Sequence, residues 1–329
     1  MMRLSCWFGC SAVAAVAGAL LSATACQVGC IEDGSGTTCT AKSLDRFDGA
    51  ASPPVVVERA PGAPVTIDVI YGSILVQRSA TPKIEAQFSP FCYAGHDEKA
   101  SADQQLAQNL VTQATGAGAV TISVQRQGGT NGLGANVVVR LPDDFDGPLN
   151  IVNHGDGPLN EFDVKVEHVG RAVAVNVTNQ SQLGGCWING APSVRSTKVD
   201  CGEDVSVFDV SDEVNITNSE SMHDAEPPAI TLRVAGVSPG SRGGRIVSAS
   251  GSIVATFPRA GGYVVDAKSP VRGSVQGNAA GPGCTLNGNA PNAKVLTCGN
   301  GPRYEVVAGA SPNHPGQPPP DNNVVLAQQ

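Results

Sequence analysis

Eight of the ten cysteines lie after residue 25, and their spacing could support either disulfide bonds or a metal site. These eight are Cys26, Cys30, Cys39, Cys92, Cys186, Cys201, Cys284 and Cys298. We predict the bonds Cys186–Cys201 and Cys284–Cys298, because each closes a local loop of about 15 residues and contributes roughly 3 kcal/mol to stability on the chain-entropy account. A zinc site is disfavoured, since there is no Cys-x-x-Cys pattern and no histidine near either pair.

The other four cysteines leave two alternatives. Cys30 and Cys39 are the candidates for a third disulfide. If Cys26 is acylated, Cys92 is left alone, whereas a free Cys26 could pair with it. The state of Cys92 is therefore tied to how the chain is anchored.

Two short patterns resemble catalytic motifs. Gly236–Gly240 fits the Gly-x-Ser-x-Gly form of a hydrolase elbow, with Ser238 as the nucleophile. That elbow needs a long helix after it, and the next apolar run here reads as a strand. His154 and Asp156 could form an acid–base pair, but no third partner accompanies them. We interpret both patterns as surface turns and predict no catalytic residue.

Three acidic residues, Asp143, Asp144 and Asp146, come before the turn at Gly147 and could supply oxygen ligands to calcium, as could Asp156. No glutamate lies at the spacing of a known calcium loop, and acidic residues are common in turns. We therefore predict neither a bound metal nor a cofactor.

The first 25 residues have the three-part layout of a secretory signal peptide. A short basic start at Met1–Arg3 precedes the uncharged run Ser11–Ala23, and small residues lie directly before Cys26. A retained membrane anchor is the weaker interpretation, because the dense apolar part is shorter than the roughly 20 residues of a spanning helix. The layout predicts an exported protein in a compartment that permits disulfides.

The small residues before Cys26 also resemble the lipobox of bacterial lipoproteins, in which Cys26 would be acylated and become the mature N-terminus. The match departs from the family pattern at Ala23, where leucine is preferred. With Gln27 after the cysteine, the resemblance implies an outer-membrane lipid anchor. Ordinary secretion would instead leave a soluble periplasmic or extracellular protein.

The composition excludes one class of partner and indicates a turn-rich chain. The formal charge is -8 and the isoelectric point is near 5.1, so a nucleic-acid partner is not expected. The 39 glycines and 23 prolines predict many turns, and only 4% of the residues are aromatic. Much of the apolar content is valine and alanine, which implies a core of small side chains.

Alternation of apolar and polar residues predicts strands over most of the chain, as in Phe162–Val166, Val173–Val177 and Ile230–Val234. The one helical candidate is Asp97–Gln113. We divide the chain into a signal peptide, a cysteine-containing tether, an N-terminal β region, a solenoid-like region with two cysteine-loop repeats, and a proline-rich disordered tail. Their bounds are residues 1–25, 26–52, 53–130, 131–308 and 309–329.

An internal repeat is the most specific pattern. Each predicted disulfide loop opens on a cysteine with an Asn-Gly turn and closes on Cys-Gly, and the run Val137–Pro142 corresponds to Ile253–Pro258 upstream of the second loop. The first copy carries about 18 extra residues, the length of one hairpin or one solenoid rung. Repeats that add whole β units favour a stacked architecture.

Glycine followed by Ser or Asp and then by apolar residues recurs at Gly72–Val76, Gly155–Leu159 and Gly251–Ala255. With the strand and turn at Val137–Gly147, this resembles the bacterial putative-adhesin family of β-solenoid domains of unknown function, over about residues 120–308. The resemblance implies an all-β fold, a right-handed β-helix or related β-solenoid-like stack, and no catalytic residues. The paired cysteines depart from the family pattern. A pair of β-sandwiches is the alternative fold.

These features predict a non-enzymatic cell-envelope protein, an adhesin-like scaffold that binds an envelope protein or polysaccharide. The alternative is an extracytoplasmic hydrolase acting on polysaccharide. It would require four acidic side chains to converge in a groove beside aromatic residues, which few Trp and Tyr can supply. The four are Asp143, Asp156, Glu161 and Asp163.

Overall fold

The computed structural model describes residues 25–33, 36–116, 118–158, 161–219, 229–271, 273–309 and 322–329. Within these residues the protein is built almost entirely from β-strands, with one short helix, which confirms the all-β prediction. The expected signal peptide lies outside the described residues apart from Ala25. No helix in the described part of the chain has the length and apolar character needed to cross a membrane.

The N-terminal third forms one end of the fold. Its elements are β1 (Ala25–Asp33), β2 (Gly36–Asp48), β3 (Val55–Val57), β4 (Val65–Val69), β5 (Ile74–Arg78), β6 (Ile84–Gly95), α1 (Lys99–Asn109), β7 (Leu110–Gly116), β8 (Val120–Arg126) and β9 (Leu133–Leu141). Helix α1 is shorter than the predicted Asp97–Gln113, because from Leu110 the chain is extended and pairs antiparallel with β8. Part of the segment 26–52, which we expected to be a tether, belongs to a sheet, because β2 pairs antiparallel with β6.

The middle of the chain alternates between two sheets. Its strands are β10 (Leu149–Asn153), β11 (Val164–Val166), β12 (Ala174–Asn179), β13 (Cys186–Asn189), β14 (Ser196–Cys201), β15 (Val205–Ser211), β16 (Glu213–Asn218), β17 (Ile230–Gly236), β18 (Gly244–Ser248) and β19 (Ile253–Phe257). Odd-numbered strands pair in parallel in sheet A and even-numbered strands pair in parallel in sheet B. One sheet B strand and the sheet A strand that follows it thus form a rung, and successive rungs stack as in a solenoid.

The C-terminal elements return into the stack. They are β20 (Tyr263–Lys268), β21 (Val275–Gly277), β22 (Cys284–Asn287), β23 (Ala293–Cys298), β24 (Arg303–Ala308) and β25 (Val324–Gln328). Strand β24 lies between β18 and β20 in sheet B, and β25 lies between β19 and β21 in sheet A. The last rung in sequence is therefore an inner rung of the stack.

For residues 322–329, this insertion corrects the prediction that residues 309–329 form a disordered tail. Val324 and Leu326 are buried in the core, and strand β25 has a parallel partner on each side. The apolar alternation of this short strand outweighs the proline-rich run before it. Residues 310–321 lie outside the described residues.

The predicted boundary near residue 130 does not separate two folding units. Strand β4 pairs with β8 on one side and with β10 on the other, and β5 likewise joins β9 to β11. The rung formed by β8 and β9 therefore stacks on an earlier rung and continues the same two sheets. One cluster of buried side chains extends through both sheets from Val57 to Leu326.

The core follows from the alternation of the strands. In β11, Val164 and Val166 are buried while Lys165 faces solvent, and the same period of two recurs along the stack. Each fully buried Val, Leu or Ile side chain contributes roughly 1.5–3 kcal/mol to stability. Val173 is an exception to the predicted pattern, because it precedes β12 and is exposed.

A buried polar column crosses sheet B at the carboxyl ends of its strands. Asn153, Asn179, Cys201, Asn218 and Ser248 are in register on adjacent strands, and all five are buried. The amide nitrogen of Asn179 donates to the carbonyl oxygens of Phe162 and Gly184 at 3.0 and 3.1 Å. Buried backbone carbonyls need such partners, so this column holds the turns between the two sheets.

The two cysteine loops have different structures despite their similar sequences. Cys186 and Cys201 are bonded to each other and lie on strands of opposite sheets, whereas Cys284 and Cys298 are bonded across the antiparallel hairpin β22–β23. Strand β14 passes into sheet B and continues the stack, while β23 turns back on β22 at the edge of sheet B. Residues 284–298 therefore form an edge hairpin. They do not repeat the structure of residues 186–201, which pass from sheet A to sheet B.

Candidate functional site

The outer face of sheet A carries a row of side chains, one per strand, at positions paired in register. From β5 to β17 the row is Leu75, Lys165, Trp187, Ser206 and Thr231, and it continues through Val254 and Val325. Adjacent parallel strands are about 4.8 Å apart, so the row presents a side chain at that interval. Three of its members are polar and four are apolar, and among the apolar ones Trp187 is 49% exposed.

A groove of about 260 Å³ lies beside Trp187. Its walls come from three successive rungs, and their residues are Asp163, Lys165, Gly185, Cys186, Trp187, Glu203, Asp204 and Ser206. Three of the ionisable side chains are carboxylates and one is an amine. The groove thus combines an apolar ring with hydrogen-bond acceptors and a net negative charge.

Two of the carboxylates are held in place by backbone groups. One oxygen of Asp163 accepts a hydrogen bond from the Gly185 N–H at 3.1 Å, and one of Asp204 accepts from the Ala229 N–H at 2.7 Å. The second oxygen of Asp163 lies 3.1 Å from the Lys165 amine. These contacts give both aspartates a structural role between rungs, and they also fix the side chains that line the groove.

The Trp187 ring is braced from one side by a chain of contacts on β15 and β17. Phe208 packs edge-on against it with ring centroids 5.5 Å apart, and the Arg233 guanidinium lies 5.3 Å from the Phe208 centroid. Arg233 in turn donates to both oxygens of Asp209 at 2.9 and 2.6 Å. Asp209 lies in a β-bulge with a positive φ of 58°, which turns it toward this arginine.

The Cys186–Cys201 disulfide lies directly behind this site. Cys186 lines the groove, and its neighbour in sequence is Trp187. Cys201 is buried at the end of β14 in the opposite sheet. The bond therefore ties the strand that carries the exposed ring to the other layer of the stack.

The structure separates the carboxylates that a hydrolase would need to bring together. Asp163 lines the groove beside Trp187, whereas Asp143 lines a different cavity of about 570 Å³ and forms an ion pair with Arg78. Asp156 pairs with Arg126, with 3.1 Å between the guanidinium and the carboxylate oxygen. Glu161 is exposed on the surface.

The other predicted catalytic candidates also have different partners. The His154 ring nitrogen lies 2.8 Å from a carboxylate oxygen of Asp68, and the partner is not Asp156. The Ser238 hydroxyl accepts from Arg195 at 3.0 Å, and its N–H donates to Asp212 at 2.6 Å. Burial raises the pKa of Asp212, but the hydrogen bonds from Ser238 and Arg195 outweigh burial and leave the pKa lowered.

The acidic turn before Gly147 is neutralised by arginine. Arg59 lies 2.8 Å from Asp146 and 3.4 Å from Asp144. The N–H of Gly62 is the main cause of a lowered pKa at Asp146, with Arg59 adding to it. The described residues hold no group of three or more His, Cys, Asp or Glu side chains arranged to bind a metal ion.

For the other predicted cysteines, the structure gives the strand register of Cys30 and Cys39 and the surroundings of Cys92. In the antiparallel pairing of β1 with β2, Cys30 lies directly opposite Cys39. Among the described residues, Cys92 is a free cysteine and is buried beneath α1. Burial raises the pKa of its thiol to about 11, so it is a poor nucleophile at neutral pH.

Two solved structures show limited similarity to this chain. A putative cell adhesion protein from Clostridium sporogenes aligns over 84% of this chain and 99% of its own, with 9% identity and a TM-score of 0.30. A putative adhesin from Bacteroides fragilis aligns over 87% and 96%, with 11% identity and a TM-score of 0.25. Scores this low establish neither a shared fold nor a shared function.

Sequence comparisons add no further relatives. No protein-family model matches the chain. No curated protein matches it either.

Proposed function

We propose that this chain is a non-enzymatic, extracytoplasmic, adhesin-like scaffold that binds an extended partner along the outer face of sheet A. The observation that carries the proposal is the half-exposed Trp187 and its groove, in the middle of a row that repeats once per strand. A row that repeats at each strand of a stack favours many similar contacts with a partner that is itself extended.

The disulfides support a location outside the cytoplasm. Two bonded cysteine pairs are rare in the reducing cytosol and common in exported proteins. They agree with the signal-like layout of the first 25 residues. The separate pairing of Asp143, Asp156 and Asp163 supports a binding role over hydrolysis, because a catalytic carboxylate pair must flank one bond.

The test is binding of the full chain to a panel of immobilised extended polymers, both polysaccharides and proteins. We expect at least one to bind the chain and to lose binding when Trp187 is changed to Ala. The matched control is Val173→Ala. Val173 is also 49% exposed, but it lies in the bend just before β12 and is not part of the row on sheet A. Binding that is equal in both variants, or binding to no polymer, would contradict the proposal.

We further propose that acylation of Cys26 anchors the protein to the outer membrane. A single acyl chain gives only marginal membrane binding, so stable anchoring requires two chains. Cys26→Ser should move the protein to the soluble fraction or leave it at full precursor mass. Cys39→Ser is the control and should still partition with membranes; normal processing and unchanged partitioning of the Cys26 variant would refute the anchor.

A further inference from the structure

We infer that the groove beside Trp187 binds a hexose residue of an uncharged polysaccharide whose chain runs along the stack. This inference rests on the proposed function and specifies the partner. The groove of about 260 Å³ has room for one sugar ring against the indole. One face of a hexose carries mainly C–H groups, which pack on the flat aromatic surface that a half-exposed tryptophan offers.

The support behind Trp187 prepares it for this contact. Phe208 packs against the ring, and Phe208 is itself held by Arg233, which Asp209 fixes in place. Trp187 remains about half exposed, so part of its ring is presented to solvent. A ring that is already oriented loses less conformational freedom when a ligand binds.

The polar walls match the hydroxyl groups of a sugar. Carboxylates accept hydrogen bonds from O–H donors, and such charge-assisted bonds are stronger than neutral ones. Asp163 and Asp204 are fixed by the N–H groups of Gly185 and Ala229, so their positions are set before a ligand arrives. Lys165 and Ser206 line the same groove and can donate to sugar oxygens.

The charge of the groove selects among polysaccharides. Its walls carry three carboxylates and one amine, in a chain whose formal charge is -8. Like charges across an interface suppress binding, so uronic-acid or phosphate-bearing polymers are disfavoured. An uncharged polymer avoids this repulsion and still satisfies the acceptors.

The spacing of the row favours a polysaccharide over a peptide. Strands about 4.8 Å apart present successive side chains at nearly the length of one sugar unit in an extended hexose polymer. An extended peptide advances only about 3.3–3.6 Å per residue and falls out of step with the row. A peptide strand also docks through the backbone groups of a sheet edge, whereas Trp187 lies on a sheet face.

The experiment uses the full chain with Trp7→Phe, which leaves Trp187 as its one tryptophan. Neutral gluco-oligosaccharides and acetylated chito-oligosaccharides are titrated while indole fluorescence and binding heat are measured. Deacetylated chito-oligosaccharides and oligogalacturonate are the cationic and anionic comparisons. We expect a neutral series to bind with a fluorescence change and oligogalacturonate to bind far more weakly.

Variants then test the residues. Trp187→Ala should weaken binding by roughly tenfold or more, as for a central aromatic contact, while Trp187→Phe keeps part of the affinity. Val173→Ala should leave the affinity unchanged, and thermal unfolding checks that each variant is folded. Binding of a neutral series that survives Trp187→Ala would overturn the inference, as would binding restricted to the cationic or anionic series. If a protein polymer binds through Trp187 and no oligosaccharide does, the proposed function stands and this inference fails.

Discussion

The disulfide between Cys186 and Cys201 joins the two sheets, and it does so at a position in sheet B that asparagine occupies on both neighbouring strands. Cys201 is in register with Asn179 on one side and Asn218 on the other, and its sulfur lies 3.4 Å from the carbonyl oxygen of Gly184. The cysteine therefore replaces one member of the buried polar column. A covalent bond across the stack takes over the role that side-chain hydrogen bonds have in adjacent rungs.

Removing this bond should destabilise the stack. The Cys186→Ala/Cys201→Ala variant loses a crosslink over 15 residues, which is worth about 3 kcal/mol on the chain-entropy account. Cys186→Ala/Cys201→Asn should recover part of the loss, because asparagine can donate to the carbonyls of the adjacent turn. Denaturant unfolding under oxidising conditions measures both, and equal stability of the two variants would refute the role of the column.

The buried column should also be sensitive to loss of a single amide. Asn179→Ala removes the amide that donates to the buried carbonyls of Phe162 and Gly184, and only the Phe162 carbonyl keeps a second donor, the Asn153 amide at 3.5 Å. We expect a loss of about 2–3 kcal/mol in unfolding free energy. Asn176→Ala is the matched control. Its side chain lies on the outer face of the same strand and donates to Asn150, so its loss should be under about 1 kcal/mol. Similar losses in both variants would contradict this account.

The sequence predicted the strands well because their cause is local. Alternation such as Val164, Lys165 and Val166 determines which side chains are buried, whatever the neighbouring strand is. The order of rungs depends instead on contacts distant in sequence. Nothing in the pattern of Val324–Gln328 indicates that this strand pairs with Ile253–Phe257, so the insertion could not be predicted from local periodicity.

The sequence does contain a signal for the candidate site, the alternation of side chains around Trp187. Cys186 and Ile188 face the core, so the period of two places Trp187 on the outer face of its strand. The low count of aromatic residues argues against sugar contacts, but the position of one exposed ring matters more than the count. The brace from Phe208 and Arg233 depends on pairing between strands and on a bulge, which sequence alone does not reveal.

The buried thiol of Cys92 should be unreactive in the native protein. Burial is the main cause that raises its pKa to about 11, and Glu98 adds to the shift. At pH 8 almost no thiolate is present, and α1 covers the side chain. We expect iodoacetamide to label the Cys92 peptide only after unfolding in urea, as measured by peptide mapping. Labelling of that peptide in the native protein would contradict the buried position.

Tyr304 should make the protein less stable at high pH. Its side chain is fully buried, its hydroxyl donates to the carbonyl oxygen of Asp212, and burial raises its pKa to about 12. In the unfolded chain this tyrosine ionises near pH 10, the ordinary value for the residue. The native state therefore holds more protons between these values, so its stability is complete below about pH 10 and falls as the pH rises toward 12.

The comparison is with Tyr304→Phe, which cannot ionise at this position. We expect the denaturation midpoint of the native protein to decline more steeply than that of the variant between pH 10 and pH 12. The variant should be less stable at pH 8, because the carbonyl of Asp212 loses its donor. Parallel pH profiles for the two proteins would show that Tyr304 titrates normally.

The C-terminal strand β25 should contribute to the core as strongly as any central strand. Leu326 is 1% exposed and faces the core, whereas Val325, its neighbour in the same strand, is 36% exposed on the outer face of sheet A. Leu326→Ala should cost about 2–5 kcal/mol of unfolding free energy, because it removes buried methyl groups between β19 and β21. Val325→Ala should change stability by less than about 0.5 kcal/mol, as exposed substitutions do.

The pair of variants separates an inserted strand from a loose tail. If residues 324–328 were not part of the sheet, both substitutions would be equally harmless in denaturant unfolding. Deleting residues 322–329 extends the test, since it leaves β19 and β21 without the strand that lies between them. Unpaired strand edges associate with other chains, so we expect the truncated protein to aggregate at concentrations where the full chain stays monodisperse in light scattering.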